Sequence, residues 1–505
     1  MILPPAIDQR DTFAWHASCA WLGRTESWKA HPIAQPLKPP CQDTLIATQP
    51  CPQEDGRTYS VATRRLVLTA SIIASSMGFI DGSGLTVALP AMREDFGADL
   101  SSLQWVLNIY VLALAALSLV GGAMADAKGR VRVLIAGIAV FGAASAWCAL
   151  SSSIGSLIVA RGVQGVGAAF MTPASLALIG SVYPKDQRGG AIGLWAASSA
   201  LMTSVGPPLG GWLTESFGWQ AVFWINPPLA LLAIGILLFA GPATPRKDDA
   251  PFDSWGALLL AIFLAALAAG LSALGGEEGP LPISPALAFL AAAIMLGLFI
   301  RWQIIAASPM MPLTVFRNRT FAGLNLATLF LYAALSIVFF QLPFTLIERL
   351  GLSASMAGMA FLPFMLGVGL LSNVAGKLMD KTGPQLPLVS GSALAGLAFV
   401  WMAVAAEASL LVAVLVPMGL LGLAFALLIA PLTAGVMASL GDIDQGLASG
   451  VNNTVSRIAQ LIGVAAAAAL GSTLVSFQTG AGVAAGLAIL AAVAAALATK
   501  AQTKA

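Results

Sequence analysis

The chain has 505 residues, of which 58% are hydrophobic and only 10% charged, where soluble domains carry roughly 25% charged residues. That composition excludes an ordinary soluble domain and describes a polytopic membrane protein. A net charge of +2 over this length supplies no long-range field and gives no ground for nucleic-acid binding.

Residues 1–62 are Pro-rich, hold both histidines (His16, His31) and three of the four cysteines (Cys19, Cys41, Cys51), and show little periodicity. They read as a disordered tail without the charged-then-apolar layout of a signal peptide; an over-extended gene start explains them equally well. Cys148 lies in an apolar run, and the four cysteines have neither metal-ligand nor disulfide-framework spacing.

From Arg64 onward, apolar runs long enough to cross hydrocarbon, about 20 residues each, recur near 66–90, 103–123, 132–152, 156–180, 189–213, 221–240, 254–275, 285–305, 320–346, 353–376, 386–406, 409–431, 448–471 and 479–499. Charge placement supports these fourteen spans. With both termini cytoplasmic, the inner segments hold fourteen Lys and Arg residues, among them Lys128, Arg130, Arg132, Arg317 and Arg319, while the outer loops hold only Arg93 and Arg349. That asymmetry follows the positive-inside rule.

The expected architecture is an all-α membrane protein with two six-helix bundles, 63–240 and 308–500, separated by a 241–307 linker that contains helices seven and eight. A repeat supports the division: Gly122-x-x-x-Asp126-x-Lys128-Gly129-Arg130 follows the second helix, and Gly376-Lys377-x-x-Asp380-Lys381-x-Gly383 follows the second helix of the later block. Two like halves packed face to face make a cleft that can open to either side.

The fifth span ends in Gly206-Pro207-Pro208-Leu209-Gly210-Gly211. Two prolines remove N–H donors and force a kink, and small residues four apart let another helix approach closely. The segment reads as a packing notch or as a fulcrum.

Sorting the acidic and basic residues by segment leaves only Asp81, Arg161 and Arg457 deep inside spans, away from their ends. A charge at that depth costs at least ~2.5 kcal/mol on insertion scales and is normally functional. Asp81 lies about 13 Å from the outer end of its span and Arg161 about 8 Å from the same side at 1.5 Å per residue, close enough to pair. A purely structural ion pair is one reading. The other is proton coupling: burial favours the neutral carboxyl and a neighbouring guanidinium favours the carboxylate, so any change in their separation changes how tightly Asp81 holds a proton.

Gly122, Asp126, Gly129 and Arg130, with Asp380 and Lys381 opposite, read as a latch over the inner mouth. Asn108, Tyr110, Asn325, Tyr332, Gln341, Arg457 and Gln460 are the polar residues available to line a substrate cavity, although hydrogen bonding between helices explains such residues equally well. No carboxylate in the second block can hold a dication, so neutral, monocationic or anionic lipophilic substrates are expected. No Gly-x-x-x-x-Gly-Lys-Ser/Thr is present for an ATP-driven pump, and no His, Cys or carboxylate cluster lies at bilayer depth for an enzyme.

Four motifs in order carry a family resemblance: Asp81 followed by Ala88-Leu89-Pro90; Gly122-x-x-x-Asp126-x-x-Gly129-Arg130; Leu157-x-x-x-Arg161-x-x-Gln164-Gly165-x-Gly167-Ala168-Ala169; and Gly206-Pro207-x-x-Gly210-Gly211. Over about residues 64–500 the chain resembles the major facilitator superfamily, and within it the fourteen-helix drug:proton antiporters of the multidrug and quaternary-ammonium resistance type. It departs from that branch at Ser83, Thr86, Ala127 and Gln220. The resemblance implies proton-coupled efflux of lipophilic drugs by alternating access in the cytoplasmic (inner) membrane. Its expected partners are a small-molecule substrate, protons and the bilayer, and its energy source is the proton-motive force, with no cofactor or metal. An exporter of an endogenous metabolite, siderophore or antibiotic, or an uptake porter, is the alternative of the same fold. The sequence is silent on any accessory envelope protein.

Overall fold

Ser60 starts the first helix earlier than hydropathy suggests. Its Oγ accepts the Thr63 N–H at 3.1 Å, so α1 runs Val61–Phe96 and the end of the expected tail is already helical. The computed structural model describes residues 59–240, 253–274, 283–309, 311–440 and 445–502. The remainder of the tail with Cys19, Cys41 and Cys51, most of the 241–253 connection and the side chain of Asp380 lie outside the described residues.

After α1 come α2 (Leu100–Lys128), α3 (Arg130–Ala149), α4 (Ile154–Val182), α5 (Lys185–Phe217), a short α6 (Gln220–Trp224) and α7 (Asn226–Ala240). A hairpin of α8 (Ser254–Ala273) and α9 (Pro285–Ile305) follows. The second set comprises α10 (Arg319–Phe344), α11 (Ala354–Met359), α12 (Leu362–Thr382), α13 (Gln385–Val404), α14 (Val416–Ser439), α15 (Gln445–Leu470) and α16 (Leu474–Gln502). No strand occurs among the described residues.

Thirteen described helical segments are long and apolar enough to cross a membrane. The expected fifth span, α5, is outside that set: its 33 residues would reach about 50 Å, but Ser, Thr, Gly and Pro dilute its apolarity. The expected 221–240 and 353–376 spans each form from two consecutive pieces, α6 with α7 and α11 with α12. The expected end near 431 falls short, because Pro431 sits inside α14. Proline in a membrane helix is tolerated where neighbouring helices re-satisfy the freed carbonyl.

The same packing scheme runs twice. In the first set α1 lies on α5 and α7, α3 on α4 and α7, and α2 on α4; in the second, α10 lies on α15 and α16, α13 on α14 and α16, and α12 on α14. Between the sets α2 packs on α15 and α5 on α11. One apolar cluster seals this seam, with Leu85 and Leu89 of α1 and Leu103 of α2 against Phe340 and Phe344 of α10 and Val464 of α15. Large apolar side chains such as Phe239 (87% exposed) and Val404 (80%) face outward, as a surface solvated by lipid requires.

The α8–α9 hairpin has a structural part that sequence reading did not assign. Asp253 caps α8 by accepting Gly256 N–H at 2.7 Å and also receives Trp302 Nε1 at 2.6 Å and Gln303 Nε2 at 2.8 Å from the end of α9. Gln303 Oε1 in turn accepts Met311 N–H at 3.0 Å, tying the hairpin to the segment that leads into α10. α8 touches both α2 and α15, so it spans the seam.

Candidate functional site

Asp81 and Arg161 meet as expected. Arg161 Nη1 donates to Asp81 Oδ2 at 2.5 Å, with side chains 1% and 0% exposed respectively. Gln164, one turn along α4 from Arg161, locks both partners: its Nε2 donates to Asp81 Oδ1 at 2.9 Å and its Oε1 accepts Arg161 Nη1 at 2.5 Å. Arg161 Nε donates to the Val106 carbonyl of α2 at 3.0 Å, and the Tyr110 ring lies 4.2 Å from its guanidinium carbon. The network continues through Gln164 Nε2 to Ser145 Oγ at 3.2 Å and from Asn226 Nδ2 to the same oxygen at 2.9 Å. Charge-assisted hydrogen bonds on every side make this burial tolerable.

Sequence reading missed Gln164 as a site member although it stood in a quoted motif. The available signal was its spacing: residues three apart on a helix share a face.

The fifth-span glycines mark a backbone crossing. A Cβ on Gly84 of α1 would stand 2.8 Å from the Gly206 carbonyl oxygen, and one on Gly206 would collide with Ser83. On the other side of α5, Gly211 abuts the Ala354 backbone and Gly358 the Pro207 carbonyl. The Gly206–Gly211 segment therefore touches α1 of its own set and α11 of the other. The ion pair sits on α1 one turn below this crossing, because Asp81 precedes Gly84 by three residues.

The expected cavity residues separate into two groups. Tyr110 joins the ion-pair network; Tyr332 packs edge-on against Phe425 with centroids 6.3 Å apart; Arg457 Nη1 donates to Gln460 Oε1 at 3.2 Å. Asn108 Nδ2 reaches the Leu461 carbonyl at 3.4 Å, joining α2 to α15. Asn325 and Gln341 donate to backbone carbonyls. Asn325 Nδ2 donates to the Phe321 carbonyl of its own helix at 2.9 Å, and Gln341 Nε2 donates to the Gly471 carbonyl at 3.0 Å in the turn between α15 and α16.

At the α2–α3 turn Arg130 Nη2 donates to Asp126 Oδ1 at 2.9 Å, so these two residues engage each other. Gly129 makes the one-residue turn possible with φ 99°, a conformation that favours glycine. Gly122 faces Pro173 of α4, and Lys381 is exposed at the end of α12.

The opposite end carries a contact between the sets that the sequence did not reveal. Arg93 Nη1, near the end of α1, donates to Glu348 Oε2 at 3.0 Å and to Ser472 Oγ at 3.2 Å. Glu215 Oε2 of α5 accepts the Ser355 N–H of α11 at 2.9 Å. Hydrogen bonds from Ser355 and Ser353 hold the Glu215 carboxyl below the usual carboxylate range. Asp95 accepts Trp219 Nε1 at 2.8 Å.

Helix packing repeated in two sets and a charge pair buried inside the first set define a multi-pass membrane transporter. The profile described as Major Facilitator Superfamily matches residues 71–463 and 324–504, and the chain belongs to that superfamily. It is 31% identical over 418 residues to the multidrug resistance protein Stp of Mycobacterium tuberculosis, covering 82% of this chain and 76% of the relative. It is 33% identical over 423 residues to the cephamycin export protein CmcT of Amycolatopsis lactamdurans, covering 81% and 85%. The crystal structure of a peptide transporter POT in complex with sulfate superposes with TM-score 0.64 at 16% identity over 86% of this chain and 94% of that one, a likeness of fold alone. The protein is a transporter of small molecules, not an enzyme.

Proposed function

We propose that this chain exports lipophilic small molecules in exchange for protons, by alternating access between its two helix sets. The carrying observation is the fully buried Asp81–Arg161–Gln164 cluster on α1 and α4, beside the close crossing of α1 with α5. A proton arriving on Asp81 removes the charge that Arg161 pairs with. Arg161 keeps Gln164, the Val106 carbonyl and the Tyr110 ring, so α4 stays ordered while α1 is released to move against α5. Loss of the proton toward the cytoplasm restores the pair.

In this reading both termini are cytoplasmic, α5 completes fourteen crossings of the cytoplasmic membrane, and the lobes are 63–240 and 308–500 with the hairpin in the linker between them. The Arg93–Glu348 end is the outer one, and Asp126, Arg130, Asp380 and Lys381 guard the inner mouth. The multidrug resistance relative supports drugs as substrates. The cephamycin exporter supports a second cargo, an antibiotic made by the host cell. Dye export from energised cells, with and without a protonophore, tests the coupling: collapse of export when the proton gradient is dissipated supports it, and undiminished export refutes it.

A further inference from the structure

Arg457 is a second charge at the seam, and unlike Arg161 it has no acid. Among the described residues the carboxylate–cation pairs are Arg93–Glu348, Arg130–Asp126 and Arg161–Asp81. Asp81 is already claimed on both oxygens by Arg161 and Gln164. Arg457 has Gln460 Oε1 on Nη1 at 3.2 Å, and its Nε is buried with no acceptor. Its electrostatic neighbours are the phenols Tyr110 of α2 and Tyr332 of α10, neither of them an anion at neutral pH.

An unpaired guanidinium in a membrane interior is costly and persists where it has a task. Its five donors lie in a planar fork that matches a carboxylate bidentately. Here Gln460 occupies the Nη1 side and leaves the Nε–Nη2 edge without a protein acceptor. Tyr110 also stacks on Arg161, so an anion at Arg457 would lie beside the proton site. The half-buried Tyr332, in edge-on contact with Phe425, supplies apolar surface on the α10 side.

We propose that Arg457 is the anchor for a single anionic group, a carboxylate or similar oxyanion, on a lipophilic transported molecule, with Gln460 holding the guanidinium in register. The transporter therefore prefers monoanions over neutral or cationic molecules of the same shape. This rests on the transport reading above, but binding can be measured without transport.

The test uses the full chain in lipid nanodiscs with three matched fluorescent probes: pyrenebutyrate, its methyl ester, and the corresponding pyrenylbutyl trimethylammonium. Wild-type protein is expected to bind the anion about tenfold more tightly than the ester and the cation least. Arg457→Gln should bring anion and ester within about twofold of each other, and Arg457→Lys, which keeps the charge but loses the fork, should fall between. Melting curves of both variants report whether they fold; if Arg457→Gln does not, Arg457→Lys alone decides. A wild type without preference for the anion, including one that binds none of the three, overturns the proposal, as does a preference unchanged in the variants. Loss of proton coupling with the anion preference intact refutes only the transport reading.

Discussion

Arg93 and Glu348 meet at 3.0 Å although 255 residues separate them, and their contact joins the two helix sets at the end opposite the α2–α3 turn. Both side chains are about one-third exposed, 31% and 32%, so a pair of this kind contributes only ~0.2–1 kcal/mol. A weak tie suits a gate that opens in each cycle. Reversing one charge, in Arg93→Glu or Glu348→Arg, should widen this end, and the double exchange should restore it. Spin labels near Phe96 of α1 and on α11 read the distance distribution; identical distributions in all four proteins would remove the pair from the gate.

Glu215 gives the same end a defined response to acid. Its carboxyl is held below its ordinary value by hydrogen bonds from Ser355 and Ser353, so the stabilisation is complete above the ordinary carboxylate range and disappears as pH falls through the depressed value. The α5–α11 contact should therefore be insensitive to pH from about 8 to about 5. Glu215→Gln should loosen it at every pH in that interval. Labels on α5 and α11 measured across the series check the prediction, and a transition near neutral pH in the wild type would contradict it.

The α1–α5 crossing tolerates no side chain at Gly84. A methyl group there would stand 2.8 Å from the Gly206 carbonyl oxygen, and overpacking of this sort costs roughly 1–3 kcal/mol. Gly84→Ala should lower the melting temperature and reduce turnover, whereas alanine at Gly82, where no atom lies within 4 Å, should change neither. Equal melting and turnover in the two variants would separate the crossing from function.

The parts of this molecule legible in sequence are those where a residue contradicts its surroundings. Asp81 and Arg161 stand out because a charge in a 20-residue apolar run has few innocent explanations, and their depths along two helices sufficed to pair them. Gln164 did not stand out, because a lone amide in a membrane helix is ordinarily a structural hydrogen bond. Arg93 and Glu348 were invisible as partners: outer-loop charges are common, and pairing across 255 residues depends on tertiary structure. Asp253 lay in what reads as a linker, and its bonds to Trp302 and Gln303 come from a hairpin return with no local sequence signature. Asn325 and Gln341 show the converse, since intramembrane polarity marks a need for a hydrogen-bond partner without saying whether that partner is a substrate or a helix end.

The most direct measurement concerns Asp81. Purified protein reconstituted in vesicles, loaded with a transported dye and given an imposed pH gradient, should couple dye movement to proton flux in the wild type. Asp81→Asn keeps the shape and one hydrogen-bond acceptor but cannot exchange a proton, and removing one member of a buried pair destabilises by ~3–5 kcal/mol, so folding is checked by melting in the same preparation. Folded Asp81→Asn protein that still binds dye yet moves neither dye nor protons along the gradient is the predicted result. Undiminished proton-driven dye movement by that variant would contradict the assignment of the buried carboxyl as the coupling site.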